Sequence, residues 1–234
     1  MDLRIALLVV ADLAMVYAGF VYGTRFIRNF GNYLLGLEWL VVAISGSNVV
    51  VLGATGIHHD SGSYHLMLFF DAFSRSVGLT LILVLGLMTV THRYRPPLSV
   101  DIGVFALAIV AGFLLSRLHQ PIPFGWAVFY IVVNLLTTIY LLYFALRLWS
   151  INARAQAIWA LIATILGTVV AVVYDLVHIP GDDADHMLFY IGALATWALQ
   201  LTVYYYGYRA LHAANGEQAR NVRLDGVNAT TFGS

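Results

Sequence analysis

"LSVDIGVFALAIVAGFLLSRL", residues 98–118, is an apolar run in which the only charged side chains, Asp101 and Arg117, lie close to its two ends. A helix of about 20 predominantly apolar residues is long enough to cross the hydrocarbon core of a bilayer. The run therefore predicts a membrane-spanning helix, unless the chain is a soluble protein in which this helix is buried in the core. The rest of the sequence distinguishes a membrane-spanning helix from a buried helix of a soluble protein.

The composition of the whole chain favours the membrane. Of its 234 residues, 61% are hydrophobic and only 10% are charged, whereas about a quarter of the residues of a soluble domain are charged. The apolar runs are too many to be buried together in one core, and several are long enough to span a bilayer. Ten-residue segments of alternating polarity are absent, which argues against an outer-membrane β-barrel. The sequence therefore predicts an all-α integral membrane protein.

Seven runs are long enough to be transmembrane helices. They occupy approximately residues 3–23, 33–55, 64–91, 98–118, 124–148, 155–178 and 186–209. The first run lacks the small-residue cleavage site of a signal peptide, so we expect it to remain as a helix. Residues 213–234 are polar and show no periodicity. We therefore expect a seven-helix transmembrane domain in residues 1–212 and a disordered cytoplasmic tail in residues 213–234.

The arginines are distributed unequally between the two sides of the membrane. Cytoplasmic loops of membrane proteins carry an excess of positive charge. With seven spans, only Arg4 and Arg117 fall on the side of the N-terminus. The other side carries Arg25, Arg28, Arg93, Arg95, Arg147, Arg154, Arg209, Arg220 and Arg223. We therefore expect the N-terminus outside, the C-terminus in the cytoplasm, and a multi-pass protein of the inner (plasma) membrane of the cell.

Two residue types are missing from the chain, and each absence excludes a class of chemistry. There is no cysteine, which excludes disulfides, thiol catalysis and iron–sulfur clusters. There is also no lysine, because all twelve basic residues are arginine. Every mechanism that proceeds through a lysine Schiff base is therefore excluded, including a covalently bound retinal, although the number of helices would suit a rhodopsin.

Two loops on the expected outer side share a common plan. "GIHHDSGSYHLMLFF", residues 56–70, joins the second and third spans, and "VHIPGDDADHMLFYI", residues 177–191, joins the sixth and seventh. Each contains a histidine, a short loop with glycine and aspartate, a second histidine and a Met-Leu-Phe sequence. Imidazole is the commonest protein ligand of Zn and Cu, and carboxylates complete such sites. The repeated pattern therefore points to a shared metal site.

Side-by-side packing of the two hairpins would bring four imidazoles together. We expect an outward-facing Zn or Cu site whose ligands are His65, His178, His186 and His58. The residues expected to hydrogen-bond to the ligating imidazoles are His59, His119, Asp60 and Asp185. The alternative is a pair of solvated loops, because acidic residues such as Asp182, Asp183 and Asp185 also favour the N-terminus of a helix.

Several ionisable side chains fall inside the predicted spans, where they are costly and indicate functional sites. Asp71 and Arg75 are four residues apart in the third span, so they share a helix face and can form an ion pair. Together with Asp175 of the sixth span they are expected to line a polar cavity below the histidines, as candidate catalytic residues. The alternative is a structural ion pair that fixes helix register. Asp12 lies mid-span without an evident partner, and Glu38 lies near the cytoplasmic end, where we expect it to reach water.

Three functions are compatible with these residues. The first is a membrane metalloenzyme that acts on a lipid or a small apolar substrate, with a metal-bound water as nucleophile and Asp71 or Asp175 as base; copper would give redox chemistry instead. The second is a proton- or ion-coupled transporter or channel that uses Asp71, Arg75 and Asp175. The third is an accessory subunit of a membrane complex. The lipid bilayer is a partner in all three, an oligomer is compatible with each, and no nucleic-acid partner is expected.

The orientation can be tested with single cysteines, because the native chain has none. In intact cells, Ser61→Cys is expected to react with a membrane-impermeant maleimide, because residue 61 lies in the loop predicted to be outside. Asn152→Cys is expected to react only after lysis. The reverse pattern would overturn the orientation and, with it, the placement of both histidine loops.

Overall fold

The structure is a computed structural model that describes residues 3–55, 60–94, 96–117, 124–176, 182 and 186–231. For residues 53–55, 175–176 and 222–231 it describes the backbone only. Within these ranges every regular element is a helix and no strand is present. The all-α class that the composition predicts is therefore confirmed for the described part of the chain.

The helices follow one another with short connections. The α-helices are α1 (Leu3–Phe30), α2 (Tyr33–Thr55), α3 (Gly62–Phe73), α4 (Leu83–Thr91), α5 (Leu98–Leu115), α6 (Phe124–Ser150), α7 (Arg154–Leu176) and α8 (Met187–Thr231). A π-helix, π1 (Ser74–Ile82), joins α3 to α4 without a break, so that the three form one span, Gly62–Thr91. In all, seven described helical stretches are long and apolar enough to cross a membrane, as the sequence predicts.

The third span is the element that departs most from the expected geometry. The apolar run predicts an uninterrupted α-helix, but nine residues in its centre are π-helical. Such helices are rare, usually last a single turn and occur frequently at functional sites. Hydrophobic periodicity does not distinguish the two kinds of helix in a segment that is apolar on most sides. The π-helix is therefore a feature that the sequence analysis did not predict.

The last helix also differs from its predicted bounds. The seventh span was expected to end at residue 209, whereas α8 continues to Thr231. The beginning of this extension packs against the end of the third span. Asn215 Nδ2 donates to the Val90 carbonyl at 2.8 Å, and Arg93 donates to Gln218 Oε1 at 2.5 Å. The extension therefore contacts the expected cytoplasmic end of the bundle.

Helices α1 and α2 form a closely packed antiparallel pair because glycines face each other along their contact. A Cβ at Gly23 would lie 2.9 Å from the Gly36 carbonyl oxygen, and one at Gly19 would lie 2.7 Å from the Trp39 carbonyl oxygen. These distances are too short for a larger residue, so the glycines set the helix separation. Small residues that allow close backbone approach are typical of contacts between transmembrane helices.

Asn32 connects four elements at the turn between α1 and α2. The chain reverses at Gly31, whose φ of +61° favours glycine. The Asn32 side chain caps α2 by accepting from the Leu35 amide at 3.1 Å. Its amide group donates to the Gly86 carbonyl at 2.8 Å and to the Tyr208 hydroxyl at 3.3 Å. One buried side chain thus joins the first turn of α2 to α4 and α8.

The removal of this side chain is expected to destabilise the bundle. Asn32→Ala loses a helix cap, which contributes about 1 kcal/mol, and the buried hydrogen bonds to the Gly86 carbonyl and the Tyr208 hydroxyl, each of which contributes about 0.5–1.5 kcal/mol. Asn32→Ser keeps an oxygen that can cap α2 but is too short to donate to Gly86, so its effect should be smaller. Unfolding of the purified protein by dodecyl sulfate titration would measure both. Equal stability of Asn32→Ala and the wild type would show that this junction does not hold the bundle together.

Candidate functional site

One end of the bundle carries the polar side chains that the sequence analysis singled out. The first half of the third span, the beginnings of α6 and α8 and the end of α7 meet there, as contacts between Asp71 and Tyr174, between Arg75 and Tyr130, and between Tyr174 and Phe189 show. We call it the histidine end, because His65 and His186 lie at the starts of α3 and α8. In the orientation predicted from the arginines, this end faces outward.

Asp71 and Arg75 form the ion pair that their four-residue spacing predicts. Arg75 Nη1 lies 3.4 Å from Asp71 Oδ2. Asp71 is nine residues beyond the start of α3, which places it about 14 Å along the helix. Its side chain is 31% exposed, while that of Arg75 is 11% exposed. The pair thus lies well inside the span, with the carboxylate more accessible than the guanidinium.

The rings of two tyrosines from neighbouring helices contact the guanidinium group of Arg75. The guanidinium carbon lies 4.0 Å from the ring centroid of Tyr174 on α7 and 4.3 Å from that of Tyr130 on α6. Cations over aromatic faces at this distance are attracted by the ring quadrupole, by about 0.5–2 kcal/mol each. The position of Arg75 is therefore supported by two interactions that do not involve Asp71.

Tyr174 also binds the carboxylate. Its hydroxyl donates to Asp71 Oδ1 at 2.9 Å, so that the two oxygens of Asp71 have different partners. Tyr190 of α8 is a further neighbour, near enough to interact with the Asp71 charge and to hydrogen-bond with Tyr174. Phe189 packs edge-on against Tyr174, with ring centroids 5.2 Å apart. The centre that we call the Asp71 site, comprising Asp71, Arg75, Tyr130 and Tyr174, thus joins three spans, and a fourth packs on it.

Of the four predicted metal ligands, the structure describes His65 and His186, and both make local contacts. His65 is exposed, and its Nδ1 lies 3.0 Å from the Ser61 carbonyl oxygen, one turn back at the start of α3. The His186 side chain is 51% exposed, with Nδ1 3.9 Å from Asp182 Oδ2. Asp182 itself accepts from the backbone amides of Leu188 and Phe189 at 2.9 and 3.2 Å. Asp182 therefore caps α8, as the alternative reading of this loop predicts.

The predicted metal site receives no support from the described side chains. Among them, no three His, Asp or Glu residues form a group that could hold a metal ion. The residues of that prediction that lie outside the described part of the chain are His58, His59, His119, His178 and Asp185. The shared Zn or Cu site with His65 and His186 therefore stays a prediction. Asp175 is part of α7, but its side chain lies outside the described part of the chain.

Glu38 is placed differently from the expectation. It was expected to reach water near the cytoplasmic end of the second span, but its side chain is wholly buried, with no exposed surface. The reason is tertiary: the third span covers this face of α2, and Gly78 of π1 lies directly against the carboxyl group. Asp12 is also buried, and its carboxyl lies against Gly46 of α2. Neither carboxyl has a hydrogen-bond partner within the described residues.

The tyrosines of the Asp71 site were missed because their sequence signal is ambiguous. Tyr130 and Tyr174 each lie near the end of an apolar run, where aromatic residues commonly form a belt at the membrane surface. Only the packing of α6 and α7 on α3 shows that both rings face Arg75. The sequence signal that could have identified these two residues is a tyrosine predicted to lie at the same depth in the membrane as an arginine within a span.

Comparison with known proteins provides no assignment for this arrangement. No protein-family model, no characterised protein sequence and no solved structure matches the chain.

The coupling between Asp71 and Arg75 can be measured with a double-mutant cycle. Asp71→Asn and Arg75→Gln are each expected to lower the free energy of unfolding by about 2–3 kcal/mol. This is below the 3–5 kcal/mol for breaking a fully buried pair, because Asp71 is partly exposed and the tyrosines still hold Arg75. The double variant should lose at least 0.5 kcal/mol less than the sum of the two single losses. Strict additivity in dodecyl sulfate titrations would show that the two residues are not coupled.

Proposed function

We propose that the protein is a membrane transport protein in which the Asp71 site binds a proton together with a small anion. The observation that carries the proposal is the position of Asp71, a partly exposed carboxylate about 14 Å along a span, held by Arg75 at 3.4 Å and Tyr174 at 2.9 Å. Ionisable residues at such depths mark substrate and ion pathways in membrane proteins.

The length of the contact between Asp71 and Arg75 favours proton exchange. Hydrogen bonds between a guanidinium and a carboxylate are usually about 2.7–2.9 Å long, and this contact is 3.4 Å. We expect a contact of this length to break more readily on protonation of Asp71 than a short hydrogen bond would. Because Asp71 is the more exposed partner, a proton can reach its oxygens without first displacing Arg75.

The tyrosine rings explain why an anion would follow the proton. Protonation of Asp71 makes the net charge of the Asp71 site more positive by one unit, which favours an anion beside the guanidinium. The rings of Tyr130 and Tyr174 also contact the guanidinium and help to keep it in place. Arginine presents a fork of donors that suits carboxylate, phosphate and similar anions. The site would therefore bind the two ligands together and release them together.

The alternative functions have less support from the described residues. A metalloenzyme needs a ligand group that includes His58 and His178, both of which lie outside the described part of the chain. Elemental analysis of protein purified without chelator would test it, with about one equivalent of Zn or Cu expected. An accessory subunit needs only helix contacts, but these do not explain why the exposed member of the ion pair is the carboxylate.

Proton flux into proteoliposomes tests the proposal. Vesicles with a lumenal pH dye are mixed in turn with chloride, nitrate and inorganic phosphate under an imposed pH gradient. For wild-type protein, at least one anion is expected to accelerate lumenal acidification tenfold or more over protein-free vesicles. Asp71→Asn should abolish the acceleration, because the amide cannot take up the proton.

The matched control is Asp101→Asn, which neutralises a carboxylate in the first turn of α5, away from the Asp71 site. It should transport at a rate within twofold of the wild type. Equal rates for the wild type and Asp71→Asn, or wild-type rates no higher than those of protein-free vesicles for all three anions, would contradict the proposal.

A further inference from the structure

Glu38 is the most deeply buried carboxyl group within the described residues, and the Asp71 site does not include it. It lies on α2 with no exposed surface. Within the described residues, neither of its carboxyl oxygens has a hydrogen-bond partner. Buried polar groups in proteins are nearly always hydrogen-bonded, and the neighbouring polar side chains of this bundle follow that rule. Asn32 and Trp39, for example, both donate to backbone carbonyls of other spans. Glu38 is therefore an exception that requires an explanation.

The carboxyl group of Glu38 lies directly against Gly78 of π1. A Cβ added to Gly78 would be 2.8 Å from Oε2 and closer still to Oε1. Any side chain at residue 78 would therefore displace the carboxyl, and glycine leaves the space that it occupies. Because π-helical turns occur frequently at functional sites, the contact of the buried acid with the π-helical part of the third span is a second, independent indication of a site.

Within the described residues, no charged side chain forms a hydrogen bond with Glu38. The helices packed against α2 are α1, the third span (Gly62–Thr91) and α8, whose Leu201 carbonyl accepts from Trp39; Asp101 of α5 lies near the first turns of α2. The charged and titratable described side chains of these elements are Arg4, Asp12, Tyr17, Tyr22, Arg25, Arg28, Tyr64, His65, Asp71, Arg75, Asp101, Tyr190, Tyr204, Tyr205, Tyr206, Tyr208, Arg209, His212, Glu217 and Arg220. None of them donates a hydrogen bond to the Glu38 carboxyl. Arg75 is on the same π-helix as Gly78 but is engaged with Asp71 and the two tyrosine rings.

These observations together indicate the protonation state of the Glu38 side chain. An ionised carboxylate without a partner in an apolar interior is far more costly than the neutral acid, and such groups neutralise. We infer that Glu38 is a proton-binding site inside the bundle, in which π1 positions the carboxyl group against Gly78. The ligand is a proton, since the space around the oxygens offers no further donor atoms for a metal cation within the described residues.

The protonation of Glu38 does not depend on the proposed transport function, but its use in transport does. Arg75 and Gly78 are three residues apart on π1, so the same nine-residue segment contacts the Asp71 site and the buried acid. A rearrangement of π1 that accompanies protonation of Asp71 would change the surface against which Glu38 lies. In the proposed transporter, Glu38 would be a second residue that binds the proton, after the Asp71 site.

Infrared spectroscopy of the full-length protein in lipid at neutral pH tests the inference without any transport assay. A protonated carboxylic acid has a carbonyl stretching band that a carboxylate lacks. The wild type is expected to show such a band, and Glu38→Gln, which keeps the shape but has no acid proton, is expected to lose the component of the band that Glu38 contributes. Asp12 is also buried without a partner, so Asp12→Asn is the matched control and should keep the Glu38 component.

A second variant covers the case in which Glu38→Gln does not fold. Gly78→Ala places a methyl group against the carboxyl and should shift its band, whereas Gly103→Ala, where a Cβ meets nothing within 4 Å, should leave the spectrum unchanged. The inference is overturned if the wild type shows no carboxylic acid band, or if the band survives unchanged in both Glu38→Gln and Gly78→Ala. A wild-type band together with failed transport would contradict only the proposed function.

Discussion

The hydrocarbon core of a bilayer contains no water, so each polar group within a span has to find its partner inside the protein or remain without one. Most polar side chains of this bundle meet the constraint locally. Ser76, Thr80 and Thr164 each donate to the carbonyl four residues earlier in their own helix. Others meet it between helices, as Trp39 does by donating to the Leu201 carbonyl at 3.0 Å. These interactions are satisfied by backbone acceptors and need no ligand.

Three acidic side chains within the spans, Asp71, Glu38 and Asp12, differ from these satisfied groups and have environments of two kinds. Asp71 is held by a cation and a hydroxyl and remains partly exposed, an arrangement that suits exchange with a ligand. Glu38 and Asp12 are buried and have no partner among the described residues. Apolar residues at the positions of Glu38 and Asp12 would avoid the cost of burying a polar group without a partner. The presence of these two acids is explained if they bind protons.

The sequence alone predicts the features that depend on local composition or on spacing along one helix. The seven spans follow from apolar length, and the Asp71–Arg75 pair follows from a four-residue separation on one helix face. The features that it does not predict depend on which helices are neighbours. The rings of Tyr130 and Tyr174 become part of a site only because α6 and α7 pack on the third span. Likewise, Glu38 is inaccessible only because π1 covers it.

The π-helix also changes the rotational phase between the two parts of the third span. In a regular α-helix each residue advances the side-chain direction by about 100°, so the faces of the two ends are in a fixed relation. The wider turns of π1 advance less per residue and offset that relation. In the resulting arrangement α3 directs Asp71 towards Tyr174 of α7, while α4 directs Gly86 towards Leu35 of α2. One helix can thus serve two different sets of neighbours. Loss of a single residue within Ser74–Ile82 would restore one common phase and would turn one of these two faces away from its partners.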